Sequence, residues 1–255
     1  MKRMNECSWK TIDGMDRAKT IVLFPFGSIE QHGWHLPVGT DYLIAEAISE
    51  HLAERDSEDY DALLFPTLQF GLNTEHAGFC GTVSLPARLI LELMERQAQI
   101  MVAYGFRYFA YLNTHGGNTP LIEVAVRAFN AAHPDCRMTS FQYFTHGFFD
   151  ALREHIENPI GVDVHAGELE TSILQYLLPQ LVHTDVPLEV LRESNCKSAA
   201  LPKFWLTRDV SASGVIGDAT LAGPDKGKIF FDYICDSLAS AISAFMREAT
   251  AGPVR

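Results

Sequence analysis

Between Gly27 and Asp41 the chain reads GSIEQHGWHLPVGTD, which sets Glu30, His32, His35 and Asp41 within a single short stretch. Carboxylate oxygens and neutral imidazole nitrogens together suit divalent Zn, Mn, Fe or Co, and the absence of thiolates points away from a purely structural zinc knuckle. In an extended segment Glu30 and His32 project to one side, because side-chain direction has period two, and His35 need not join them. Asp41, at the start of the next helix, can return to the same point and bridge two ions. Taken singly, these residues also read as ordinary turn chemistry, with Asp41 a helix cap and Glu30 solvated.

Two further clusters raise the first above turn chemistry. Asn113-Thr114-His115-Gly116-Gly117-Asn118 places an imidazole where a strand ends, beside two glycines that let backbone approach a ligand closely. His165-Ala166-Gly167-Glu168-Leu169-Glu170-Thr171-Ser172 opens a helix with a histidine and two acids. On a helix His165 and Glu168 share a face while Glu170 lies well round from it, so spacing favours Glu168. A helix starting after Gly167 removes that preference.

These clusters need elements to hold them. Thr20–Gly27 reads as a buried strand, Tyr42–Ala53 as a helix, Ala62–Phe70 as a strand interrupted by Pro66, and Pro86–Tyr104 as a helix. Phe106–Asn113 and Arg137–Phe144 read as strands, and Thr119–Ala132, Glu168–Leu178 and Phe230–Arg247 as helices. Such alternation marks a layered α/β fold with a largely parallel sheet, in which ligands sit beyond the carboxyl ends of the strands, just after Gly27 and Asn113. Pro187–Lys228 loses periodicity and accumulates Ser, Gly, Pro and Asp, the composition of a long functional loop. No repeat or linker divides the 255 residues, so one domain over 1–255 is expected.

Composition narrows the partners. Lys and Arg number 20 against 32 Asp and Glu, a net charge of −12, and no basic cluster longer than a pair occurs, which argues against nucleic acid. With 47% hydrophobic residues and a mean hydropathy of +0.01, a sizeable core is expected. No signal-peptide pattern and no run of about 18 apolar residues are read, so a cytoplasmic protein without a membrane partner is expected. Five scattered cysteines without a C-x-x-C pair suggest neither disulfides nor a thiolate site. Gly223–Lys228 lacks the spacing of a P-loop, and no G-x-G-x-x-G, H-E-x-x-H or G-x-S-x-G is present.

GSIEQHGWHLPVGTD, EHAGFCGTVSL from Glu75 to Leu85, NTHGGN, HAGELETS, and SGVIGDATLAGPDKG from Ser213 to Gly227 occur in one order over nearly the whole chain. In this the chain resembles the creatininase (creatinine amidohydrolase) family. The resemblance implies a three-layer α/β/α sandwich with a mostly parallel central sheet, assembled as a homo-oligomer (a hexamer), with two divalent metals (Zn, Mn or Fe) per chain and hydrolysis of a C–N bond. By motif position Glu30 and His115 would hold one metal and His32 the other, with Asp41 bridging. Creatininase proper has an acid two places after the histidine of the second cluster, where this chain has Gly117. That departure leaves the second metal to water or to the third cluster, where Glu170 occupies the family's acidic position, against the helical-spacing preference for Glu168. The HGGN form is similar to relatives that include a formamide-cleaving deformylase.

The expected chemistry is attack on a small cyclic amide or formamide by a hydroxide bridging two cations. His165, supported by a carboxylate such as Glu170, would shuttle a proton to the leaving nitrogen. Trp34, His76 and Trp205 are candidates for the substrate pocket, and Phe204, Arg208 and Lys203 are available to meet a planar or anionic ligand. Ring opening of a carbocyclic or lactone carbonyl, and metal or metabolite binding without turnover, are the competing expectations.

Overall fold

The computed structural model describes residues 1–144, 148–158, 163–188, 190 and 206–251, with the Phe149 side chain left aside. In chain order the described elements are β1 (Lys2–Arg3), α1 (Trp9–Asp13), β2 (Thr20–Phe26), α2 (Thr40–Glu54), β3 (Asp61–Leu64), α3 (Ala87–Ala103), β4 (Tyr108–Asn113), α4 (Thr119–Ala132), β5 (Arg137–Gln142), α5 (Phe148–Ala151), α6 (Glu168–Leu177), α7 (Thr207–Val210) and α8 (Pro224–Thr250). The strands form one all-parallel sheet in the order β1-β3-β2-β4-β5.

β2 is central, and all seven of its residues, TIVLFPF, are buried, as a strand covered on both faces requires. Its alternate residues feed two separate cores. Ile21 and Leu23 join Ile44, Ile48 and Leu52 of α2, Ile173 and Leu174 of α6, and Phe230, Ile234 and Leu238 of α8. Val22, Phe24 and Phe26 join Ile90 and Met94 of α3 and Leu121, Ile122 and Phe129 of α4 on the opposite face. The result is three layers, helix, sheet, helix. Each fully buried Phe, Leu or Ile contributes about 1.5–3 kcal/mol.

Most boundaries differ from the sequence reading by one to three residues, and two differ by more. The strand expected over Ala62–Phe70 stops at Leu64, and only a bridge from Phe26 to Leu68 resumes the pairing. Pro66 breaks it, and Pro25, which has no N–H, faces the gap so created, accepting a bond at its carbonyl from the Leu68 amide (2.9 Å). The final helix begins at Pro224, inside the region expected to be irregular, because Pro fits a first turn and Gly227 permits close approach. A Cβ on Gly227 would lie 1.9 Å from the Ser172 carbonyl oxygen of α6. α8 is also long and apolar enough to span a bilayer by composition, yet its Phe230, Phe231, Ile234, Leu238, Ile242 and Met246 are spent on the core.

From β2 the chain passes through α2 to β3 on one side, then through α3 across to β4 on the other. The connections therefore part at the carboxyl ends of β2 and β4, which opens a crevice there.

Candidate metal centre

Glu30 and His32 leave the end of β2, Asp41 is the second residue of α2, His115 follows β4, and His165 and Glu170 flank the start of α6. All six are buried. Asn118 holds the crevice together by donating to the Gly27 carbonyl (3.0 Å) and accepting from the Leu72 amide (3.0 Å).

The outer nitrogens of three imidazoles are each tied to a backbone carbonyl. His32 donates from Nδ1 to the Glu30 carbonyl (3.1 Å), His115 from Nε2 to that of Leu72 (3.0 Å), and His165 from Nε2 to that of Gln31 (2.6 Å). The opposite nitrogen of each ring then faces inward, toward the carboxylates. His32 Nε2 lies 3.4 Å from Asp41 Oδ1 and 3.7 Å from Glu170 Oε2. His115 Nδ1 lies 3.1 Å from Glu30 Oε2 and 3.3 Å from Asp41 Oδ2, and His165 Nδ1 lies 3.7 Å from Glu30 Oε1. Pinning the outer nitrogen in this way is how proteins orient metal-binding histidines.

His76 has the reverse arrangement. Its Nδ1 faces Gln31 Nε2 and Thr207 Oγ1, both at 2.9 Å, which leaves Nε2–H to donate to Glu30 Oε1 (3.2 Å). It acts as a donor that fixes the Glu30 carboxylate. Tyr143 does the same for Glu170, donating to Oε1 (3.0 Å), while the Ala166 amide donates to Oε2 (2.7 Å). Ala166 adopts φ +52°, a conformation costly for a residue with a side chain, and this turn brings His165 and Glu170 to face one point.

Among the described residues, three sets present ligand atoms within 4.8 Å of one another: Glu30, Asp41 and His115; His32, Asp41 and Glu170; and Glu30, His32 and His165. Asp41 belongs to two of them, offering one oxygen to each. His32 Nε2 and Asp41 Oδ2 are buried and accept or donate no hydrogen bond. Such orphaned atoms are costly unless a cation takes them up. The donor set fits divalent cations.

The charges are strongly coupled. Burial pulls the His32 imidazole down, but Asp41, Glu170 and Glu30 outweigh it and carry its pKa up to about 10. Burial likewise opposes, and Glu30 and Asp41 overcome, a rise well above the usual range at His115. Glu30 is pushed up by burial yet held well below the carboxylate range by His115 and His76, while Glu170 is raised, chiefly by burial. His165, whose ring is tilted against those of His32 and His76 with centroids 4.2 Å from each, is held well below the imidazole range by burial and by those two neighbours. A cavity of about 620 Å³ opens on Glu30, Asp41, His115, His165 and Glu170 and is lined by Glu75, His76 and Phe144 as well.

Other residues singled out in the sequence fall elsewhere. His35 is buried outside the three sets, with Nε2 2.8 Å from Thr171 Oγ1, and burial followed by His32 pushes it down to about 4. Trp34 is 56% exposed and does not line the cavity, because the turn at Gly33 carries it outward. Trp205, Phe204 and Lys203 lie outside the described residues, and Arg208 packs beside Gly78. The described cysteines, Cys7, Cys80, Cys136 and Cys235, are free.

Glu168 points away from the centre. Its carboxylate accepts from the Glu157 amide (3.0 and 3.1 Å), the Asn158 amide (2.7 Å) and Lys226 Nζ (2.7 Å), tying the 157–158 segment to α6 and α8. Replacing it with alanine strands the buried Asn158 amide, takes an acceptor from the Glu157 amide and Lys226, and is expected to cost about 3 kcal/mol. Urea titration should show that loss while metal content stays at the wild-type value. A loss of ions without a loss of stability would place Glu168 at the centre instead.

At Gly117 a side chain has no room: a Cβ would lie 2.2 Å from Glu75 Oε1, 2.3 Å from the Leu72 carbonyl oxygen and 2.4 Å from His115 Nε2. Sequence reasoning overlooked Glu75, and it overlooked Tyr143 and Gln31, which orient Glu170, His76 and His165. Only the Glu-His pair at 75–76, next to a turn-rich segment, offered a signal.

Residues 5–242 match the family described as creatininase (creatinine amidohydrolase). The chain is similar to the mycofactocin precursor peptide peptidase of Mycobacterium ulcerans (strain Agy99), 30% identical over 91% of this chain and 86% of that protein. It is also similar to the creatinine amidohydrolase of Pseudomonas putida, 26% identical over 94% of this chain and 95% of that one. Among solved structures, a creatininase mutant of zinc–zinc type superposes with a TM-score of 0.78 at 24% identity, covering 96% of this chain and 98% of that one.

Proposed function

The chain belongs to the creatininase family of metal-dependent amidohydrolases, and from that premise we propose that it hydrolyses the C–N bond of a small cyclic amide or formamide at a centre for two divalent ions. Glu30, Asp41 and His115 would hold one ion and His32, Asp41 and Glu170 the other, zinc, manganese or iron. The orphaned His32 Nε2 and Asp41 Oδ2, deep in the crevice, are the observation that carries this reading. Assembly as a homo-oligomer belongs to the same reading.

When bound, a pair of such ions activates water and polarises a carbonyl. The chain's own groups do the rest. His76 and Tyr143 hold the Glu30 and Glu170 carboxylates in orientation through the bonds described above. His165 has its Nε2–H committed to Gln31, so Nδ1 is the atom that takes the proton of the attacking water and passes it to the leaving nitrogen. The carboxylate nearest that atom is Glu30 rather than Glu170. Leu72, Val164 and Leu206 supply apolar wall to the cavity in which the carbonyl would sit.

A second reading, a peptide amide as substrate, is favoured by the relative named a peptide peptidase, which shares 30% identity. The test is a screen of the metal-loaded full chain against lactams, formamides, lactones and short peptides. Release of amine from a lactam or of formate from a formamide is expected. Turnover of peptides alone would replace the small-amide reading with the second one, and turnover of lactones alone would overturn C–N cleavage. Two bound ions with no turnover of any carbonyl would make this a binding protein.

A further inference from the structure

Glu75 belongs to the short 3-10 turn Thr74–His76 and lines the cavity beside His115, with its side chain 26% exposed. Its carboxylate occupies the space that a side chain at position 117 would need. It takes part in none of the three ligand sets, because it faces the outer nitrogen of His115, 3.5 Å away, rather than the inner one. Nor does it orient that ring, since the single Nε2 hydrogen goes to the Leu72 carbonyl at the shorter distance of 3.0 Å.

Among the described residues no lysine or arginine pairs with Glu75, and none lines the cavity. Beside the carboxylates and imidazoles already described, its wall carries Leu72, Pro120 and Phe144, the last 37% exposed. A carboxylate with no lysine or arginine partner among the described residues, one imidazole ring from the ligand cluster and on the wall of the same cavity, is a receptor for a cation.

We propose that Glu75 selects substrates that carry an ammonium or amidinium group a few bonds from the scissile carbonyl, and disfavours those with a carboxylate there. This deepens the function proposed above and rests on its metal centre. The neutral alternatives, a lactam or formamide without such a group, would gain nothing from Glu75.

The test uses two hydroxamates that share the metal-binding group and differ only at the tail, propanohydroxamate and 3-aminopropanohydroxamate. Their binding to the manganese-loaded full chain is measured by calorimetry. The ammonium-tailed probe is expected to bind about tenfold more tightly, the scale of a partly desolvated ion pair. In Glu75→Gln that ratio should fall to about one. Equal affinities in the wild type, or a preference that survives in Glu75→Gln, would overturn the role of Glu75 while leaving the metal centre in place. Failure of both probes to bind the wild type would overturn the metal centre and the inference together. If Glu75→Gln does not fold, Glu75→Ala takes its place with the same two outcomes.

Discussion

The wild type is expected to be purified with two ions per chain and Asp41→Ala with one or none, and the variant to turn over at least about 10²–10³-fold more slowly. Asp41 is the residue common to two ligand sets, with Oδ1 3.4 Å from His32 Nε2 and Oδ2 3.3 Å from His115 Nδ1. Elemental analysis on protein made without chelator or a His-tag reads the first effect, and circular dichroism checks that the variant folds. The same carboxylate helps hold both imidazoles in their protonated form in the metal-free chain, His32 up to about 10. A cation needs them neutral, so loading the wild type near pH 7 should release about two protons, and apparent affinity should rise with pH until His32 titrates. Calorimetry in two buffers of different ionisation enthalpy counts those protons. Two ions retained in Asp41→Ala, with full turnover, would remove the bridged centre.

The second large effect is at His165. His165→Ala is expected to lower kcat by about 10²–10⁴-fold while both ions remain bound. The ring lies beside those of His32 and His76, its Nε2 is committed at 2.6 Å, and its pKa is held low, so at neutral pH it is neutral with Nδ1 unprotonated. His165 also completes a set with Glu30 and His32. Loss of an ion in His165→Ala would therefore reassign it as a ligand, and full kcat with both ions would leave it with no role in proton transfer.

The layers of this fold were legible because their signals are local and periodic. β2 is an unbroken apolar run, and α3 and α4 show one-sided burial at helical spacing. β1 has only two residues and pairs at an edge, too little for any pattern to register. Glu30, His32, Asp41 and His115 stood out because each follows a strand or opens a helix within a polar, glycine-bearing stretch. The choice between Glu168 and Glu170 was illegible for a physical reason. Helical spacing was applied to His165, but α6 begins at Glu168, and the left-handed turn at Ala166 sets His165 outside it. His76 and Tyr143 fix carboxylates 46 and 27 positions away, and Glu75 comes to lie beside His115, pairings that arise only when the crossovers close.

The groups that would grip the two ions run from position 30 to position 170, on four stretches of chain that meet only where the sheet is complete. An unfolded chain offers no such arrangement, so ions bind the native state and draw it away from the unfolded one. At a thousandfold excess over the dissociation constant that linkage is worth about 4 kcal/mol, a large part of an ordinary domain's stability. Metal supply would thus govern abundance as well as rate: in a starved cell the protein would be lost to proteolysis along with its turnover, and resupply would have to await fresh synthesis.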